Sequence, residues 1–395
     1  MKQQTIGLLQ GNGSDLVGGG SIQLEYNLWA DSQDDILLTN LVYSPDSLNY
    51  YDTITAHDRT LTRVQEFNEN SPMTLFGMDN LIILTYPFKK NNEWDKTIAD
   101  FYIKMLKYRK EHNLWTGVIC YDYLEEVVLA NVGAAYTELY ELVNVIWCNN
   151  KDNPLVGYLR SHKVETEFLL ECPQFMSEYL HEWLPFDKKF KNQILYQGRS
   201  LPWKGWRETL PIKNELAKCG LEMNIAYNGI TDFDNLPKHI HYEGFNGLAE
   251  KGFSDKIKDI EIGEYYSPAS GNQLSSETMF GIFPTKLNPN NNFFPEYAFI
   301  DFIRNGSIVI LPCWFFEGSK FIEGPVNHNI IKGRPEEVGM ISWDPNNYEN
   351  LKNQIEMLKN NEILYNDYRN RAYAYMMKYH NANDKIRKFI GIGEM

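Results

Sequence analysis

Short apolar runs recur along this chain at a spacing that leaves room for one helix between each pair. In the first half they are "TIGLLQGNG" (5–13), "DILLTNLVY" (35–43), "NLIILTYP" (80–87), "WTGVICYDY" (115–123) and "LVNVIWCNN" (142–150). Each closes on glycine or polar turn residues. Amphipathic stretches such as "IQLEYNLWADS", "WDKTIADFYIKMLKYRKEHN" and "EEVVLANVGAAYTELYELV" lie between them. Strands without a polar alternation are buried on both faces, and alternation with helices implies parallel pairing.

The pattern restarts near residue 190. "NQILYQGR", "LEMNIAYN", "SIVILPCWF" and "VGMISWD" read as strands, "WRETLPIKNELAKCG" and "PEYAFIDFIRNG" as helices. Residues 346–380 read as one or two helices, with Leu351, Ile355 and Leu358 on one stripe. The expected fold class is α/β, with two doubly wound Rossmann-like domains facing across a cleft. A chain of 395 residues suits two cores better than one. We expect residues 1–188 as an N-terminal Rossmann-like domain and 189–375 as a C-terminal one. Residues 376–395 are expected as a helix packing back on the first domain. Pro185 and the charge run in "HEWLPFDKKFKN" (181–192) read as the linker.

Several classes are disfavoured. The five cysteines stand far apart with no C-x-x-C pair, so neither a zinc site nor a disulfide scaffold is indicated, and a reducing cytoplasm fits. No apolar run is long enough for a membrane span. A formal net charge of −14 disfavours a general nucleic-acid coat. A local basic stretch remains: Lys188, Lys189, Lys191, Arg199, Lys204 and Arg207 lie within 187–207. "HIHY" (239–242) is a weak metal signal, and a surface strand is the preferred reading.

Ligands of open parallel sheets sit beyond the carboxyl ends of the strands. "QGRSLPWKGW" (197–206) falls at such an end, and Arg199 with Lys204 would suit a diphosphate, one as a fork and one as a point charge. A solvated basic loop fits the same residues. In "NPNNNFFPEYAFIDFIRNG" (288–306), Pro295 opens a helix and Gly306 closes it. Asp301 there is suited to ribose hydroxyls, or is an exposed helix acid. The loop "QGNGSDLVGGGS" (10–21) lacks the full G-x-G-x-x-G fingerprint, yet Gly18, Gly19 and Gly20 permit close approach of backbone to phosphate or sugar. A flexible hairpin is the alternative. Asp122, between Tyr121 and Tyr123, follows a buried strand and reads as a general base, a sugar ligand or a helix cap.

Taken together these stretches resemble the DNA α-glucosyltransferases of T-even phages, glycosyltransferases of the GT-B fold. "GRSLPWKG" resembles that family's Gly-Arg…Trp-Lys-Gly loop, and "TKLN" (285–288) its Ser-Lys-Leu-Asn stretch. "EYAFIDFIRNGSIVILPCWFFEGSKF" and the segment from "VGMISWD" to "MMKYH" resemble its helix, strand and C-terminal helices. The resemblance implies a retaining transferase that moves a sugar from a UDP-sugar to 5-hydroxymethylcytosine, or another 5-hydroxymethylpyrimidine, in duplex DNA. It implies Arg199, Lys204 and Lys286 on the donor diphosphate, Asp301 on the ribose and Asp122 near the reacting sugar. Gly18, Gly19 and Gly20 would approach the donor, and Tyr121 and Tyr123 the acceptor; the resemblance makes 1–188 the acceptor-binding domain and 189–375 the nucleotide-sugar-binding domain. Two departures from the family stand out: Tyr121 and Tyr123 replace histidines, and Asp301 replaces a glutamate. The E-x7-E pattern of many retaining GT-B enzymes is absent around Asp301. Glucose and arabinose both remain possible as the sugar. No metal site or required cofactor is expected, a divalent cation being at most stimulatory, and neither a membrane nor an obligatory protein partner. A GT-B enzyme acting on a cell-surface glycan or small molecule is the alternative.

Overall fold

The computed structural model describes residues 3–12, 21–44, 48–56, 59–70, 73–84, 89–90, 93–94, 96–120, 137–148, 154–178, 182–198, 209–227, 275–284, 297–318 and 331–391. The chain forms two compact units. One comprises residues 1–178 with 380–395, the other residues 179–379. Both sequence-based boundaries, 188/189 and 375/376, fall inside the second unit so drawn.

The first unit carries an eight-stranded sheet. In chain order its elements are β1 (Gln4–Asn12), α1 (Ser21–Asp31), β2 (Ile36–Tyr43), β3 (Tyr50–Ala56), β4 (Arg59–Phe67), α2 (Met73–Gly77) and β5 (Asn80–Ile83). After the small ribbon β6 (Lys89–Lys90) and β7 (Glu93–Trp94) come α3 (Lys96–Glu111), β8 (Trp115–Cys120), α4 (Thr137–Glu141), β9 (Val145–Cys148), α5 (Pro154–Ser161) and β10 (Glu167–Leu170). The sheet order is β10-β9-β8-β5-β1-β2-β4-β3, parallel throughout except for the edge strand β3. Its two faces bury different sets. Leu9, Leu41, Leu81 and Val118 pack with α3 and α5, whereas Ile6, Leu8, Ile36 and Leu38 pack with Tyr26 and Trp29 of α1.

The last helix, α10 (Ala382–Ile390), closes that second face. Asn381 caps it by accepting from the backbone N–H groups of Asn383 and Asp384, and Gly391 ends it in the left-handed region. Phe389 lies against Trp115 and Trp147, with ring centroids 5.1 and 4.9 Å away. Arg387 pairs with Asp35 at 2.9 Å, and Lys388 with Glu171 at 3.1 Å.

The second unit holds β11 (Phe190–Gly198), α6 (Thr209–Lys218), β12 (Glu222–Tyr227), β13 (Thr278–Ile282), α7 (Tyr297–Arg304), β14 (Ile308–Pro312), β15 (Ile341–Trp343), α8 (Tyr348–Lys359) and α9 (Glu362–Tyr379). Its five parallel strands run in the order β12-β11-β13-β14-β15. Ile194, Tyr196, Phe280, Ile282, Ile308 and Ile310 pack on one face with α6, α8 and α9.

The segment expected as a linker is instead part of the second unit's packed floor. Phe186 is buried, its ring 5.5 Å from that of Tyr365. The indole N–H of Trp183 donates to the carbonyl of Arg304 at 2.7 Å. Arg369 stacks its guanidinium on Trp183 and donates to the carbonyl of Leu184. Two aromatic side chains in the charge run outweigh its polar residues, because burying each ring is worth more than solvating a surface lysine.

Candidate functional site

In a doubly wound sheet the first strand has neighbours reached in opposite directions, and a crevice opens where the order reverses. In the second unit the chain goes from β11 to β12 on one side and then to β13 on the other. The reversal therefore lies between β11 and β13, which pair Ile194 with Phe280 and Leu195 with Gly281. Strand β11 ends at Gly198, immediately before Arg199, and β13 ends shortly before Lys286. The two cationic segments singled out in the sequence thus leave neighbouring strands on either side of the reversal.

The first unit repeats this arrangement. Strand β1 lies between β2 and β5, and the glycine-rich segment follows β1. Strand β8 lies next to β5 and ends at Cys120, one residue before Tyr121 and two before Asp122. Gly18, Gly19, Gly20, Tyr121, Asp122, Tyr123, Arg199, Lys204 and Lys286 themselves lie outside the described residues, as does "HIHY".

Asp301 is described. It lies on α7, the helix from β13 toward β14, and its side chain is about a quarter exposed (24%). The buried guanidinium of Arg304, one turn later, lies 3.9 Å from its carboxylate. Helix α7 is held hard against the sheet. Gly281 of β13 leaves room for the Phe302 ring, which would lie 2.4 Å from any Cβ placed there. Phe283 packs edge-on against Phe299 and Phe302, centroids 6.0 and 5.4 Å apart. Gly306 ends the helix at φ +68°, as a left-handed closing residue should. An acid on so fixed a helix is suited to a rigid ligand group.

One part of the expected basic stretch has another role. Lys189 is buried, and its ammonium donates to the carbonyls of Ser276 (2.7 Å), Asn305 (3.3 Å) and Thr278 (3.5 Å) and to the hydroxyl of Ser307 (3.0 Å). Burial, with a smaller push from Arg369, pulls its pKa down to about 7. It ties the starts of β11, β13 and β14 together, at the sheet edge opposite the reversal, and is no wall for a ligand. Lys188 remains exposed, and Lys191 lies over the Phe186 ring.

Among the described residues no group of three or more His, Cys, Asp or Glu side chains is arranged for a metal ion, and no helix is long and apolar enough to cross a membrane.

Two doubly wound α/β units in one chain define the GT-B class of architecture. The whole chain superposes on solved glycosyltransferases of that class. An α-glucosyltransferase in complex with UDP and a 13-mer DNA containing a HMU base matches with a TM-score of 0.68 and 15% identity, over 98% of each chain. The α-glucosyltransferase with UDP-glucose and DNA containing an abasic site matches at 0.69 and 16%, again over 98% of each. Sucrose-phosphate synthase from Thermosynechococcus elongatus matches at 0.55 and 14%, over 98% of this chain and 97% of that one. No family model matches the sequence, and no curated protein does either.

Proposed function

We propose that this chain is a retaining glycosyltransferase that moves a sugar from a UDP-sugar to the hydroxyl of a 5-hydroxymethylpyrimidine in DNA. The observation that carries the reading is the end-to-end likeness to α-glucosyltransferase structures holding UDP or UDP-glucose with DNA. It is supported by the positions of the Arg199 and Lys286 segments, which begin at neighbouring strand ends of the second sheet.

On this reading Arg199, Lys204 and Lys286 take the donor diphosphate. Asp301 accepts from the ribose hydroxyls, and Gly18, Gly19 and Gly20 admit close approach of the donor. The acceptor oxygen bonds to the anomeric carbon on the face the leaving group departs from. The bond from that carbon to the diphosphate oxygen breaks, and the acceptor's proton passes to the departing phosphate. Charge growing on UDP is met by fixed cations, which is electrostatic stabilisation of the transition state. The reaction is proposed to need no resident cofactor. Asp122 orients acceptor or sugar, with Tyr121 and Tyr123 beside the acceptor base, which must leave the duplex stack at a cost of a few kcal/mol.

One observation favours a different acceptor, a glycan or small molecule. The first unit, the proposed acceptor side, holds 16 Lys/Arg against 27 Asp/Glu, a net −11. The second holds 22 against 25, a net −3, which together make the chain's −14. An acidic unit repels a duplex unless a basic track is concentrated on one face.

Mass spectrometry of hydroxymethylated duplex DNA, incubated with the protein and a panel of UDP-sugars, tests the reading. A sugar-sized mass gain on the modified base is the expected result. Release of UDP only with a glycan or small acceptor supports the alternative, and no UDP release with any acceptor refutes catalysis. Arg199→Ala and Lys204→Ala should each cut turnover at least tenfold with the fold intact. Wild-type turnover in both removes the diphosphate assignment.

A further inference from the structure

Strand β11 carries two buried glutamines, Gln193 at 9% exposure and Gln197 at 3%. The side-chain oxygen of each is sealed from solvent and, among the described residues, accepts no hydrogen bond. A buried carboxamide left in that state costs about 1–3 kcal/mol. Folded proteins keep few such groups, and each calls for a reason.

The two differ in position. Both share with Leu195 one face of the strand, and Leu195 pairs with Gly281, whose own face is filled by Phe302 of α7. Gln193 pairs with Glu222 at the first rung of the β11–β12 ladder, away from the carboxyl edge. Gln197 pairs with Ala226 on the penultimate rung, one residue before Gly198. Continuing the register from Leu195 and Gly281 brings Gln197 level with Phe283, one residue past the end of β13. Gln197 therefore stands at the carboxyl edge of the sheet, where the strand order reverses, on the side covered by the helix that bears Asp301.

We propose that Gln197 is a ligand-binding residue whose carboxamide is completed by the nucleoside diphosphate. This deepens the function proposed above and rests on it. A carboxamide offers two N–H donors and one carbonyl acceptor without a charge. It can give a hydrogen bond to a phosphate oxygen or exchange one with a ribose hydroxyl. Gln193, of the same chemistry and on the same face, has no such position and serves as an internal control.

The test uses Gln197→Met and Gln193→Met, which keep length and apolar volume and remove the polar group. Each is read twice, by thermal unfolding and by calorimetric titration with UDP. Removing an uncompensated buried amide should leave the melting temperature unchanged or raise it by a few degrees in both variants. Gln197→Met should weaken UDP binding about tenfold, while Gln193→Met binds as the wild type does. Wild-type UDP affinity in Gln197→Met overturns the proposal and leaves the glycosyltransferase reading standing. Equal loss of affinity in both variants also overturns it, since the effect then comes from the strand and not from the position. Absence of UDP binding by the wild-type protein sinks the donor assignment itself. Should Gln197→Met fold poorly, Gln197→Glu gives the same decision: a carboxylate beside a diphosphate should lower affinity further, and the loss should shrink as the pH is lowered through a carboxyl pKa that burial and the diphosphate both hold above the usual range.

Discussion

Raising the pH from 7 to 10 should strengthen the second unit, and Lys189 is the reason. Its ammonium is buried among four oxygen acceptors, and none of its hydrogen bonds goes to a carboxylate. The charged group that adds to the effect of burial is Arg369 on α9. Burial lowers its pKa from 10.5 to about 7. An unfolded chain keeps this proton up to about 10.5, so between the two values the unfolded state binds more protons. Stability must then rise with pH across that window, and the contribution is absent below 7. At about 1.4 kcal/mol per pH unit the fall sets a ceiling of about 5 kcal/mol. The oxygen acceptors favour the ammonium and oppose loss of the proton, so a gain of about 2–3 kcal/mol is expected. Urea unfolding at pH 7, 8, 9 and 10, followed by tryptophan fluorescence, measures it in the wild type and in Lys189→Met. Other titrating groups cancel in the difference. Wild-type stability should climb relative to the variant. Two curves that stay parallel from pH 7 to 10 would refute the argument.

Asp301→Ala should weaken UDP binding about tenfold by calorimetry, and undiminished UDP affinity would rule out its ribose role. Gly306→Ala should destabilise the second unit by about 2–4 kcal/mol in urea, since φ is +68° and a Cβ would meet the Trp183 ring at 2.6 Å. Phe389→Ala should cost about 3–5 kcal/mol by opening a cavity against Trp115 and Trp147. Hydrogen exchange should place that loss in the first unit, leaving β11 and β13 protected.

The central strands were legible because parallel strands buried on both faces read as unbroken apolar runs. Asn80–Ile83 and Ile308–Pro312 are cases, and every residue in each is buried. The edge hairpin of β3 and β4 was missed for the converse reason. Tyr50 is 56% exposed at the sheet margin, and "YYDTITA" lacks an apolar run. Strand β13 was missed because "TMFGI" carries Gly281, which weakens any strand reading. The glycine is there for Phe302, a contact made across the sheet and invisible along the chain.

The site divides the same way. That Arg199 follows a strand is a local fact, readable from an apolar run ending in glycine. That the Lys286 segment leaves the adjacent strand is not local, because it depends on β13 crossing over to pair with β11 across some eighty intervening residues. The lysines of 187–207 show the limit most sharply. Lys188, Lys189 and Lys191 have the same flanks, yet one is solvated, one is buried in carbonyls and one lies on an aromatic ring. Which lysine turns inward is decided by the oxygens of residues 276, 278, 305 and 307, which the sheet brings to the foot of β11. A charge run therefore states how much charge is present, and only the strand pairing decides which of those charges a ligand can meet.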